Sequence, residues 1–134
     1  TLGYALNDSP VGLAAWIVEK FRAWSDSGGN VESSFTKDEM LTNISLYWFT
    51  QTATSSARLY YEARNAGPAD TRFIEVPTAC AIFPKEVAYA PRAWQAARMN
   101  LVRWTEMPRG GHFAALEQPE LLVNDVRAFF SRVR

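Results

Sequence analysis

With one cysteine and one histidine among 134 residues, this chain has few side chains for redox or metal chemistry. Cys80 stands alone, which excludes an intrachain disulfide, and no Cys or His lies near it at metal-ligand spacing. Neither a metal nor a cofactor is therefore expected. Net charge is absent too: 14 Lys and Arg offset 14 Asp and Glu and the pI is near 6.5, a balance that argues against a nucleic-acid or membrane-surface partner. No apolar run approaches the ~18 residues needed to span a bilayer. The lone cysteine leaves the compartment open, with the cytoplasm favoured, and a start at Thr1 with neither Met nor a basic-then-apolar leader suggests a piece of something longer upstream. No G-x-S-x-G frame surrounds Ser55 or Ser56, so neither reads as a nucleophile.

What is present is enough apolar surface for one domain, with 48% hydrophobic residues and five Trp, five Tyr and eight Phe. Ser9 as N-cap and Pro10 at the first helical position open a helix through Trp24, with Leu13, Ile17, Phe21 and Trp24 on one face and Ala14, Trp16 and Val18 widening it. Ser25 to Asn30 is turn-forming. Thr36-Lys37-Asp38-Glu39 has capping-box form and starts a second helix rich in apolar residues. The polar run Thr50 to Ser56 interrupts it, a third helix runs near Ser55 to Asn65, and Gly67-Pro68 stops that one. By themselves Tyr60 and Tyr61 read as aromatic packing.

Beyond residue 70 the period changes. Phe73 to Phe83 is a continuous apolar run of the kind that forms a strand buried on both faces, although Pro77 limits its pairing. Pro91 to Met99 reads as a short helix and Leu101 to Glu106 as a second strand. Pro119 to Val133 reads as a last helix with Leu122, Val126, Phe129, Phe130 and Val133 facing inward. Strand, helix, strand, helix is the signature of an α/β fold with a parallel sheet, in which ligands meet the carboxyl ends of the strands.

Two loops lie at those ends. Pro84-Lys85-Glu86 follows the first strand and Gly110-Gly111-His112 the second. A lone histidine in a loop is, on spacing alone, as readily solvated as functional. The consecutive glycines let the chain turn sharply and project the imidazole from the sheet. Residues following adjacent parallel strands emerge side by side, so Glu86 can accept from the Nδ1–H of His112 and leave Nε2 as a base. Glu106, Glu117 and Glu120 read as solvated or helix N-terminal charges.

Asn7 to Trp16, Thr42 to Trp48, Ser55 to Tyr60, Val76-Pro77-Thr78, Phe83 to Glu86 and Arg109 to Ala115 through Leu122 together resemble the C-terminal part of microsomal-type epoxide hydrolases, the group that includes juvenile hormone epoxide hydrolases. The resemblance covers nearly the whole chain. It implies an α/β-hydrolase fold, with residues 1–66 in the helical cap and 67–134 in the last strands and helices of the core. It also implies a small apolar epoxide as substrate. In that family an aspartate opens the epoxide to an ester, two cap tyrosines hold the epoxide oxygen, and a histidine with an acidic partner activates the water that hydrolyses the ester. By motif, His112 matches the base, Glu86 its partner and Tyr60 one tyrosine. The nucleophile, the oxyanion-hole loop and the other tyrosine belong to a part of the family that precedes Thr1. No aspartate here (Asp8, Asp26, Asp38, Asp70, Asp125) sits in a glycine-flanked strand-to-helix turn.

The expected partner is therefore the missing N-terminal half, or a second copy through self-association, with the helix from 11 to 24 left without part of its cover. Two other readings stay open. One is a non-catalytic module acting in protein interaction, and the other is a haloalkane dehalogenase or esterase on the same fold.

Overall fold

The structure, a computed structural model, describes residues 1–67 and 71–133. Pro68 of the expected helix stop and Asp70 lie outside them. The chain divides into two compact units, Thr1–Ala23 with Gly29–Ala69, and Trp24–Gly28 with Asp70–Arg134.

The first unit is helical: α1 (Leu2–Asp8), α2 (Pro10–Trp24, its last residue counted with the second unit), a single 3-10 turn (Val31–Ser33), α3 (Lys37–Thr50) and α4 (Ala53–Asn65). Ser9 caps α2 through its hydroxyl, which accepts from Gly12 N–H at 3.0 Å. The α3 box is complete, since Glu39 N–H donates to Thr36 Oγ1 at 3.2 Å and Thr36 N–H to Glu39 Oε2 at 2.8 Å. That backbone bond, with the Thr36 hydroxyl, holds the Glu39 carboxyl below its ordinary range. Gln51 ends α3 in the left-handed region with φ 56°. The polar stretch breaks the helices only at Gln51 and Thr52, and α4 begins at Ala53 instead of near Ser55. Ser55 and Ser56 turn their hydroxyls back to the carbonyls of Thr52 and Ala53 and are thereby helical.

Nothing in the sequence pattern announced α1, because seven residues are too few to hold a helix alone. Tertiary contacts hold it: Thr54 of α4 donates through Oγ1 to Gly3 O at 3.0 Å and to Asn7 Oδ1 at 2.9 Å. Leu6, Leu13, Ile44 and Ala53 form the buried core, with Trp16, Ile17, Tyr47 and Trp48 packed against it. Helix α2 is better covered than expected, for Phe21 is buried and meets Phe35 edge-on at 4.7 Å.

The second unit contains β1 (Ile74–Ile82), α5 (Arg92–Ala96), β2 (Met99–Glu106), α6 (Ala114–Glu117) and α7 (Pro119–Phe130). The strands are parallel, in register from Ile74 opposite Met99 to Ile82 opposite Glu106, with irregularities around Thr78. Three expectations need correction. Met99 belongs to β2 and not to the preceding helix, because the ladder with Ile74 recruits it. β1 is not buried on both faces: its first half is exposed, and Phe73, Ile74 and Val76 lack cover, since β2 is its one partner strand among the described residues. The last helix starts at Pro119 as expected but ends at Phe130, short of Val133, and Val126, Phe130 and Val133 are exposed. Asp125 is buried instead, accepting from Arg103 Nε and Thr105 Oγ1 of β2, both at 2.8 Å. The helix face that meets the sheet is centred on this polar pin, with Leu122 and Phe129 half-buried one turn to either side.

Candidate active site

The parallel ladder does not stop with the strands. Met107 N–H donates to Ile82 O at 2.8 Å, Lys85 N–H to Gly110 O at 3.0 Å, and Lys85 pairs with Gly111 in an isolated parallel bridge. The next residue on one side is Glu86 and on the other His112. Their side chains meet, with His112 Nδ1 2.6 Å from Glu86 Oε1. The same oxygen accepts from Val87 N–H at 2.7 Å, which orients the carboxylate.

Two glycines make the approach possible, each in its own way. Gly110 has φ 105°, and a Cβ there would lie 2.7 Å from Phe83 Cδ1. Gly111 lies outside the left-handed region and is needed for space, since a Cβ would come 2.6 Å from the carbonyl oxygen of Trp24. That carbonyl accepts from His112 N–H at 2.8 Å. The imidazole is edge-on to Trp24 and to Phe113, with ring centroids 5.3 Å away in each case.

A carboxylate only accepts, so Nδ1 is the donor in this bond, and in the neutral imidazole Nε2 then presents a lone pair. The side chains are 40% and 29% exposed for His112 and Glu86, so water reaches the pair. The arrangement places a carboxylate where it can set the tautomer and orientation of the imidazole.

Of the other candidates, Glu106 is exposed at the end of β2, bonded to Trp104 Nε1 at 3.4 Å, and Glu120 is exposed in the first turn of α7. Glu117 is not a solvated charge: it is half-buried and accepts from backbone N–H groups, including Asp26 N–H at 2.7 Å. Neither Glu117 nor Asp26 is marked as part of this site by local sequence. The nearest signal is the spacing of Glu117 four residues after Phe113, which lets it reach back to the helix start. Tyr60 and Tyr61 belong to the first unit and are exposed on α4, so neither is the packing residue its aromatic character suggests. Asp8 and Asp38 are exposed on helices and Asp125 is occupied by Arg103 and Thr105. Cys80 is half-buried, which pushes its thiol pKa up and away from reactivity. No helix among the described residues is long and apolar enough to cross a membrane.

Parallel strands joined through a crossover helix, with a carboxylate-paired histidine beyond their carboxyl ends, fit the C-terminal part of an α/β-hydrolase. Solved structures agree. Juvenile hormone epoxide hydrolase from the silkworm Bombyx mori superimposes with a TM-score of 0.84 at 35% identity, over 98% of this chain and 36% of that one. Aspergillus niger epoxide hydrolase gives 0.75 at 33% identity, over 99% and 33%. No protein-family model matches the sequence. Among curated relatives, epoxide hydrolase 1 of Sus scrofa is 46% identical over 140 residues, spanning 96% of this chain and 31% of the relative. Juvenile hormone epoxide hydrolase 2 of Ctenocephalides felis is 45% identical over 145 residues, spanning 100% and 30%. The chain belongs to the epoxide hydrolase family and matches the C-terminal portion of its members. It spans about a third of the length of the relatives it matches.

Proposed function

We propose that this chain supplies the water-activating part of an epoxide hydrolase active site. The observation that carries the reading is the 2.6 Å bond between His112 Nδ1 and Glu86. In this scheme a nucleophilic aspartate outside the chain has opened an epoxide to a covalent ester. Nε2 of His112 takes a proton from water as the water oxygen bonds to the ester carbonyl carbon, and Glu86 stabilises the imidazolium. The tetrahedral adduct then expels the diol oxygen, which takes up the proton, and the aspartate is regenerated. Tyr60 is assigned to the earlier half-reaction, its phenol donating to the developing alkoxide; such a donor lowers a barrier by roughly 3 kcal/mol. The helical unit would be cap and the second unit core, dividing at 69/70 in place of the expected 66/67, with Trp24–Gly28 counted with the core.

The substrate class is a small apolar epoxide. The test joins the chain to an upstream half that supplies the nucleophile. In that enzyme His112→Gln should permit the first attack and block the second, so intact-protein mass spectrometry after mixing with a styrene-type epoxide should show an ester adduct accumulating. Normal steady turnover with no adduct would remove His112 from this role.

A further inference from the structure

The backbone that carries His112 is held at four consecutive N–H groups. Gly110 N–H donates to Asp26 Oδ2 at 2.9 Å, Gly111 N–H to Glu117 Oε1 at 3.2 Å, His112 N–H to the Trp24 carbonyl at 2.8 Å, and Phe113 N–H to Glu117 Oε1 at 3.1 Å. The two residues are themselves joined, since the backbone N–H of Asp26 donates to Glu117 Oε2 at 2.7 Å. Glu117 thus takes the N–H on either side of the histidine with one oxygen and the short Trp24–Gly28 segment with the other.

A solvated turn with two glycines would sample many conformations. Carboxylate acceptors on three of the four donors, and a backbone carbonyl on the fourth, leave this one a single path. The two segments are far apart in sequence, and the helix ending at Glu117 is a single turn, so packing of regular structure cannot supply the same restraint.

We infer that Glu117 and Asp26 are positioning residues for His112, a pair of carboxylates that fixes the backbone of residues 110–113 and thereby keeps Nδ1 on Glu86 and Nε2 aimed at water. The inference rests on the proposed role of the His112 and Glu86 pair, but its test needs no turnover. The single histidine makes the test direct: in the 134-residue chain, labelled with nitrogen-15, one Nδ1–H resonance reports the bond to Glu86.

In Glu117→Ala that downfield resonance should be lost to exchange. The Gly111 and Phe113 amide protons should exchange about tenfold faster or more, while those of Leu101 and Arg103 in β2 stay protected. Glu117→Gln keeps an oxygen able to serve Gly111 and Phe113, so it should restore the Nδ1–H signal and lose only the tie to Asp26. Asp26→Asn should free the Gly110 amide, and Glu120→Ala, which removes an exposed carboxylate of the next helix, should change nothing. An unchanged Nδ1–H resonance in Glu117→Ala would overturn the inference. So would loosening of the β2 amides to the same degree, or failure of Glu117→Gln to restore the signal in a folded chain. Those outcomes are separate from failure of the hydrolase reading, which the ester-trapping measurement reports.

Discussion

Oε1 of Glu86 accepts two hydrogen bonds, from Val87 N–H at 2.7 Å and from His112 Nδ1 at 2.6 Å. Replacing the carboxylate by an amide keeps the shape but removes the charge that favours imidazolium. In the joined enzyme Glu86→Gln is expected to slow ester hydrolysis about 10–100-fold while His112→Gln abolishes it, measured as single-turnover decay of the adduct. Equal losses in the two variants would make Glu86 more than an orienting partner. The glycine beside the histidine gives a second residue-scale expectation. In Gly111→Ala the new methyl meets the backbone oxygen of Trp24, which cannot swing aside as a side chain would. The substitution should cost about 1–3 kcal/mol, read as a lower urea midpoint, and should remove the His112 Nδ1–H signal. Wild-type stability together with an intact signal would show that the Trp24–Gly28 segment moves freely.

The α3 box and the β2–α7 pin are the two places where a single side chain secures an element. Thr36→Ala removes the hydroxyl that accepts from Glu39 N–H and should cost about 1 kcal/mol by chemical denaturation. Glu39 also has a pH signature. Its folded pKa lies below its unfolded value, so its contribution is fully present above the ordinary carboxylate range and is lost as pH falls through the lower folded value. Glu39→Gln should flatten that part of the acid limb, and an unchanged acid limb would show that the box does not hold in solution. At the other element, Arg103→Met strips Asp125 of its cation inside a mostly apolar contact and leaves Thr105 as its remaining side-chain partner. A loss of about 1–3 kcal/mol is expected, with α7 amides exchanging faster than those of α3. Uniform loosening of both helices would contradict the assignment of that pin to α7.

Among the described residues the sheet has two strands, so each has one unpaired edge, and Phe73, Ile74, Val76 and Val102 are exposed along them. Apolar strands with open edges template association. The isolated chain should therefore scatter light as a species larger than a 15.1 kDa monomer at micromolar concentration. A monodisperse monomer with a cooperative thermal transition would favour an independent module. The same chain should show no epoxide turnover above background, for no aspartate among the described residues sits in a strand-to-helix glycine turn. Measurable hydrolysis abolished by His112→Ala would refute that.

Local rules were enough for much of this protein. Ser9, Thr36 and Glu39 announce their helix starts because a cap bonds within three residues, and Phe73 to Phe83 announces a strand because β-branched and aromatic side chains crowd a helix. The pairing of Glu86 with His112 was also legible, since parallel strands deliver the residues after them to one place. Tertiary structure alone decided the rest. Helix α1 exists by virtue of Thr54, some fifty residues later, and Met99 is a strand residue because Ile74 pairs with it. Asp125 replaces Val126 on the inner face because Arg103 and Thr105 await it there. Asp26 and Glu117 look like ordinary surface charges in one dimension. Their partners are backbone N–H groups, which every residue except proline carries and no sequence distinguishes, so only the fold could show which ones they hold.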